Sequence, residues 1–269
     1  MNKHILALAG LLLTALLLFG ALSFWPDGIN IAGTTLNTPT FAETLLAPTD
    51  SAPNTAAEAS QTESESDAPV AKQKTKPLPA PLDTAAKTIL FIGDSMLEGL
   101  GPRMAAYAKQ NGHTLINVIW YSSTTEIWGK STRLQELIAT HHPNYILVCL
   151  GANELFVSDI KRKRQRYLDN ILSQIGQIPY VWIGPPNWKP DTGINDMLQT
   201  SCAQGTFFLS NGQHFDRSKD GAHPTRQSAY AWADRVCKWI TESSAHPIRL
   251  SKPDFEKARC KTIVYQPQR

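Results

Sequence analysis

The sequence offers little that would commit it to a metal, a redox centre or a polyanion. Its four cysteines, Cys149, Cys202, Cys237 and Cys260, form no CxxC pair, which argues against a zinc knuckle and a thioredoxin-type redox motif. The net charge is only +3 over 269 residues, too little to point to a nucleic-acid partner. No internal repeat is visible. Charge is missing altogether from Ile5 to Pro26, a run long enough to cross a bilayer as a helix. Lys3 precedes that run and the first acid, Asp27, follows it, so the positive-inside tendency keeps the amino terminus in the cytoplasm and sends the rest across. Ala21-Leu22-Ser23 is a passable cleavage site, but the apolar run exceeds the usual core of a cleaved signal. Residues 1–26 are therefore expected to be an uncleaved anchor in the inner membrane, with the remainder on the periplasmic or extracytoplasmic side. Apolar residues are scarce over 27–87, where Thr, Ala, Pro, Ser and Glu dominate; such a stretch cannot offset its ordering entropy and is expected to be a disordered linker.

From Thr88 onward apolar runs alternate with amphipathic ones. Strands are expected at Thr88–Gly93, Leu115–Tyr121, Tyr145–Leu150, Tyr180–Gly184 and Thr206–Leu209. Helices are expected at Pro102–Asn111, Ser131–Thr140, Asp159–Ile178, Ile194–Ala203 and from Thr225 to about Glu242. That alternation predicts an α/β domain over 88–245, with a five-stranded parallel sheet between helical layers. Residues 246–269 are polar and read as a C-terminal tail. Cys149 lies within an apolar strand and packs as a small hydrophobe. The other three cysteines can supply at most one disulfide, and the spacing leaves its pair open.

In a doubly wound sheet, ligands bind at the carboxyl ends of the strands. There the sequence places Gly93-Asp94-Ser95 after the first strand, Gly151-Ala152-Asn153-Glu154 after the third, and Asp220 and His223 within "DGAHPT" after the fifth. A single Gly-Asp-Ser turn is common, because Asp and Ser cap helices. The three blocks together supply a nucleophile, an amide donor and a base with its carboxylate. With Gly99 four residues beyond Ser95, these blocks resemble the SGNH (GDSL) hydrolases over roughly Thr88 to Glu242. The resemblance implies a flavodoxin-like three-layer sandwich, a Ser95–His223–Asp220 triad, an oxyanion hole from Ser95 and Asn153, and no cofactor. It also implies a further backbone donor from a glycine after the second strand. Here that loop reads "YSSTTEIWGK", with Ser123 and Thr124 where the glycine is expected and Gly129 only several residues later; Ser123 is the candidate stand-in, and the donor's identity stays open. The third block ends in Glu154 where the family has Asp.

Other features carry competing readings. His141 and His142 precede Pro143 at an expected helix end, where cations suit the helix dipole. His214, Asp216, Asp220 and His223 could together hold a metal, although the triad already accounts for two of them. "KRKRQR", Lys161 to Arg166, is either a solvated face or a contact for an anionic polymer; charge reversal at Arg162 and Arg164 is then expected to spare hydrolysis of a small neutral ester. Trp128 and Trp188 either pack or stack on sugar rings. The expected function is a serine esterase acting on O-acetyl or other O-acyl groups, plausibly of a cell-envelope glycan, through an acyl-enzyme on Ser95. Its rivals are an acyltransferase using the same site and a non-catalytic envelope protein that binds glycan with a hydrolase-like fold. The expected partners are thus an acylated carbohydrate or other ester and the inner membrane.

Overall fold

The computed structural model describes residues 29–31, 34–36 and 80–267. The chain separates into two units, Met1–Lys72 and Gln73–Arg269. In the first, β1 (Ile29–Ile31) pairs antiparallel with β2 (Thr34–Leu36), a short ladder within the stretch expected to be linker. The expected anchor over 1–26 and most of the linker lie outside the described residues. Among the described residues no helix is long and apolar enough to cross a membrane.

The second unit is built on β3 (Thr88–Gly93), whose apolar run is buried on both sides of the sheet. Ile89 and Phe91 face one cluster, with side chains of α1 (Leu97–Gln110) and α6 (Arg226–Ser243). Leu90 and Ile92 face the other, with α2 (Thr125–Lys130), α3 (Arg133–His141), α4 (Ile160–Ile175) and α5 (Ile194–Ser201). The remaining strands are β4 (Thr114–Trp120), β5 (Tyr145–Cys149), β6 (Tyr180–Ile183), β7 (Phe207–Phe208) and β8 (Lys261–Tyr265). They assemble in the order β7-β6-β5-β3-β4-β8, every pair parallel. This is a three-layer α/β arrangement, consistent with a flavodoxin-like sandwich.

The sheet has six strands where five were expected. The sixth, β8, comes from the stretch read as a tail and pairs with β4 from Ile116↔Lys261 to Trp120↔Tyr265. Its side chains are mostly exposed, as suits an edge strand, so it lacks the apolar run that marks the inner strands. The domain also starts before Thr88. Asp83 N–H donates to Pro247 O at 2.9 Å and Arg249 N–H donates to Asp83 O at 3.0 Å, which ties residues expected in the linker to the segment after α6.

One helix boundary moves in a way that matters for the site. α1 begins at Leu97, not at Pro102, and carries Pro102 in its interior. Proline normally marks the start of a helix because it has no N–H to donate. Here the start is set earlier, by the turn that holds Asp94 and Ser95.

Candidate active site

β3 ends against the neighbouring strand with no space to spare. A Cβ at Gly93 would lie 2.4 Å from Cys149 O and 2.4 Å from a Leu97 methyl, so only glycine fits. Asp94 follows, buried, and its Oδ1 accepts from Met96 N–H at 2.9 Å. Asp94 thus closes the turn that leads into α1, whose N-cap residue is Met96. Ser95 is left with its hydroxyl free to face across the site.

That hydroxyl lies 2.8 Å from His223 Nε2, and His223 Nδ1 lies 2.7 Å from Asp220 Oδ2. Asp220 also folds its own loop, its Oδ1 accepting from Ala222 N–H at 2.9 Å and His223 N–H at 3.0 Å. The His223 and Ala222 backbone N–H groups, then the imidazole, hold its carboxyl down at about 2. An ionised carboxylate only accepts, so Nδ1 carries the proton and donates it. Nε2 is then the acceptor of the Ser95 O–H, the arrangement a general base needs.

Asn153 sits in a 3-10 turn, Ala152–Glu154, entered through Gly151 at φ 123, a backbone angle suited to glycine. Its amide donates to Ser123 O at 3.0 Å and to Asp94 Oδ2 at 3.4 Å, joining the loops after β3, β4 and β5. Turning toward an oxyanion would release the longer bond. The Ser95 N–H, beside the amino terminus of α1, has no hydrogen-bond partner among the described residues. It is therefore free to donate to developing negative charge.

Ser123 does not serve as the stand-in donor. Its N–H donates to Trp120 O at 3.1 Å and its hydroxyl accepts from Trp128 Nε1–H at 3.0 Å, both in the interior. The residue in this loop with left-handed backbone is its neighbour Ser122, at φ 57. Ser123 instead offers its carbonyl to Asn153 and positions that side chain.

Two buried carboxyls lie behind the Ser95–His223–Asp220 trio. Burial raises Asp94 to about 7, with the Met96 N–H and the charge of His223 opposing the rise and Glu154 adding to it. Burial also raises Glu154, offset by Thr125 and Arg164. Glu154 Oε2 accepts from Thr125 N–H at 3.0 Å, and its Oε1 accepts from Thr125 Oγ1–H at 2.7 Å and Arg164 Nε–H at 2.8 Å. Glu154 thus bolts the Asn153 turn to the first turn of α2.

Several sequence readings are corrected by this geometry. Arg164 is not a solvated cation: it bridges Glu154 and Glu126, the latter at 2.7 Å. Arg162 is exposed and pairs with Asp159. Trp128 is wholly buried against Trp120, which removes it from any sugar-binding surface. Trp188 is half-buried and donates from Nε1 to Ala152 O at 3.0 Å, so it packs under the Asn153 turn. His141 ends α3, and His142 caps it in left-handed backbone. His214 Nε2 lies 3.1 Å from Asp216 Oδ1 at an exposed position, and among the described residues no group of three or more ligating side chains could hold a metal. All four cysteines are free thiols.

Two arginines that shape the site left no mark in the sequence. Arg217 donates to Ala222 O at 2.8 Å and to Pro186 O and Asn187 O at 3.0 and 2.9 Å, bracing the histidine loop against the loop after β6. Arg103, buried in α1, donates to Phe255 O at 2.8 Å and Glu256 O at 3.0 Å. It thereby holds the C-terminal segment beside a groove of about 490 Å³ that contains Ser95 and His223. These contacts span more than a hundred residues in the case of Arg103, and no local pattern encodes them.

No protein-family model matches the chain, and no curated protein matches it. Among solved structures it is similar to the psychrotrophic esterase EstA of Pseudoalteromonas sp., at 21% identity over 57% of this chain and 96% of that one, with a TM-score of 0.45. It is also similar to a family 3 carbohydrate esterase of Clostridium thermocellum, at 16% identity over 57% of this chain and 94% of that one, with a TM-score of 0.44.

Proposed function

We propose that the protein is a serine esterase of the SGNH type. The observation that carries this reading is the hydrogen-bonded chain from Ser95 Oγ through His223 to Asp220, at 2.8 and 2.7 Å. His223 takes the Ser95 proton as the oxygen attacks the ester carbonyl. The Ser95 N–H and the Asn153 amide face the oxyanion, and His223 then protonates the departing alcohol. Water, activated by the same imidazole, releases the acyl group from Ser95. An intact chain of this kind favours catalysis over a binding role, because a binding surface has no need of a tautomer-fixed imidazole beside a hydroxyl. The natural substrate on this reading is an O-acyl group of a cell-envelope glycan, supported by the charge-free run from Ile5 to Pro26 and the export it implies.

The test is hydrolysis of a chromogenic acetyl ester by the full-length protein and by Ser95→Ala. Loss of the nucleophile is expected to lower kcat by at least about a thousandfold. Equal rates in the two proteins would remove the esterase reading.

A further inference from the structure

The groove beside the catalytic pair has two walls of different origin. One is the histidine loop with the start of α6, and the other is the start of α1 with Lys257 of the C-terminal segment, which Arg103 holds beside it. Each wall presents a cation: Arg226, at the first position of α6, and Lys257. Neither has a salt-bridge partner among the described residues. Two carboxylates also line the groove, and each is tied to a neighbour other than these cations. Glu98 accepts from the Tyr121 hydroxyl, and Asp220 accepts from His223 and two backbone N–H groups. The backbone on either side of Lys257 is also held. The carbonyls of the two residues before it bond to Arg103, and Ala258 N–H after it donates to Pro102 O at 3.0 Å. Arg226 and Lys257 are therefore the cations of the groove that no carboxylate among the described residues pairs with, one on a helix and the other on a braced stretch of backbone.

The position of the groove says which part of a substrate meets them. His223 must lie between the serine and the departing oxygen in order to protonate it. Asn153 is not among the groove's lining residues, whereas Asp220, His223 and Pro224 are. The groove thus lies on the leaving-group side. We propose that Arg226 and Lys257 form a subsite for an anionic group, a carboxylate or phosphate, carried by the alcohol portion of the ester. This rests on the esterase reading and narrows its substrate class to acylated acidic saccharides or other esters of anionic alcohols.

The experiment compares phenyl acetates whose leaving group bears a carboxylate or, at the same ring position, a carboxamide. A third ester carries its carboxylate on the acyl side. With each exposed ion pair contributing up to about fivefold, the full-length protein is expected to favour the first ester over the second by about five- to twentyfold in kcat/KM. The ratio should collapse toward one in Lys257→Gln combined with Arg226→Gln, and in about 0.5 M salt. The acyl-side carboxylate should gain nothing. Equal rates for carboxylate and carboxamide, or a preference that survives the double variant, would overturn the subsite. Should no ester be hydrolysed, the esterase reading fails separately. Calorimetric binding of the carboxylated phenol, compared with its carboxamide in wild type and double variant, then decides the charge preference on its own: tighter, variant-sensitive binding supports the subsite, and indifference overturns it.

Discussion

Asp94 and Asp220 are aspartates of one site under opposite pressures. Asp94 is buried and raised from 3.8 to about 7, so folding takes up a proton between those pH values. Its protonated form is the favoured one in the fold, and stability therefore falls as pH rises from 3.8 to 7, by on the order of 4 kcal/mol for this group. Asp220 is depressed to about 2; its contribution is present above 3.8 and is lost as pH falls through 2. Asp94→Asn keeps the acceptor for Met96 N–H and removes the ionisation. The wild type is expected to lose Tm between about pH 4 and 7, and the variant is expected to flatten that fall. An unchanged slope in the variant would mean that Asp94 is not the titrating group. The variant also sets an amide against the Asn153 amide, donor facing donor, so a lower kcat is expected alongside the flatter profile. The nearness of Ser95, Asn153 and the Asp220–His223 loop was legible in the sequence because each follows a strand, where topology alone brings loop residues together. Ser123 was misread because a one-residue shift in a tight turn decides whether an N–H points outward or back at the strand.

At the scale of elements, the bolt between the Asn153 turn, α2 and α4 carries the most weight. Glu154 is 0% exposed and Arg164 16%, whereas Arg162 is 74% exposed. Removing one partner of a buried pair leaves an uncompensated charge and costs about 3 kcal/mol or more, while a surface pair contributes under about 1. Arg164→Ala is expected to lower Tm by about 6–12 °C, and Arg162→Ala by no more than about 2 °C. Thermal melts that place the two variants together would refute this account. The basic run thus splits by helical face. One residue of it is structural, which removes the expectation that reversal at Arg164 leaves hydrolysis untouched. Composition could not distinguish Arg162 from Arg164, because the difference lies in a glutamate ten residues upstream that reaches one of them. The helices and inner strands were readable for the converse reason: their apolar periodicity is local and strong.

Across the whole molecule, stability is graded from the middle of the sheet outward. β3 is flanked on both sides and buried, whereas β8 is a mostly exposed edge strand bonded to β4 alone. Native-state hydrogen exchange is expected to show β8 amides opening well before those of β3 and β5; comparable protection in all three would contradict that gradient. The inner architecture was legible because buried parallel strands announce themselves as apolar runs. β8 and the wall beneath Arg103 were not, since a strand recruited to an edge by backbone bonding needs little hydrophobicity. Ser95 and His223 stand 128 residues apart in sequence, and they meet only when the central strands are in register. An extended chain possesses Ser95, Asp220 and His223 but not the hydrogen bonds that join them. The hydrogen-bonded trio is therefore a product of the tertiary structure, held by no local element of the chain.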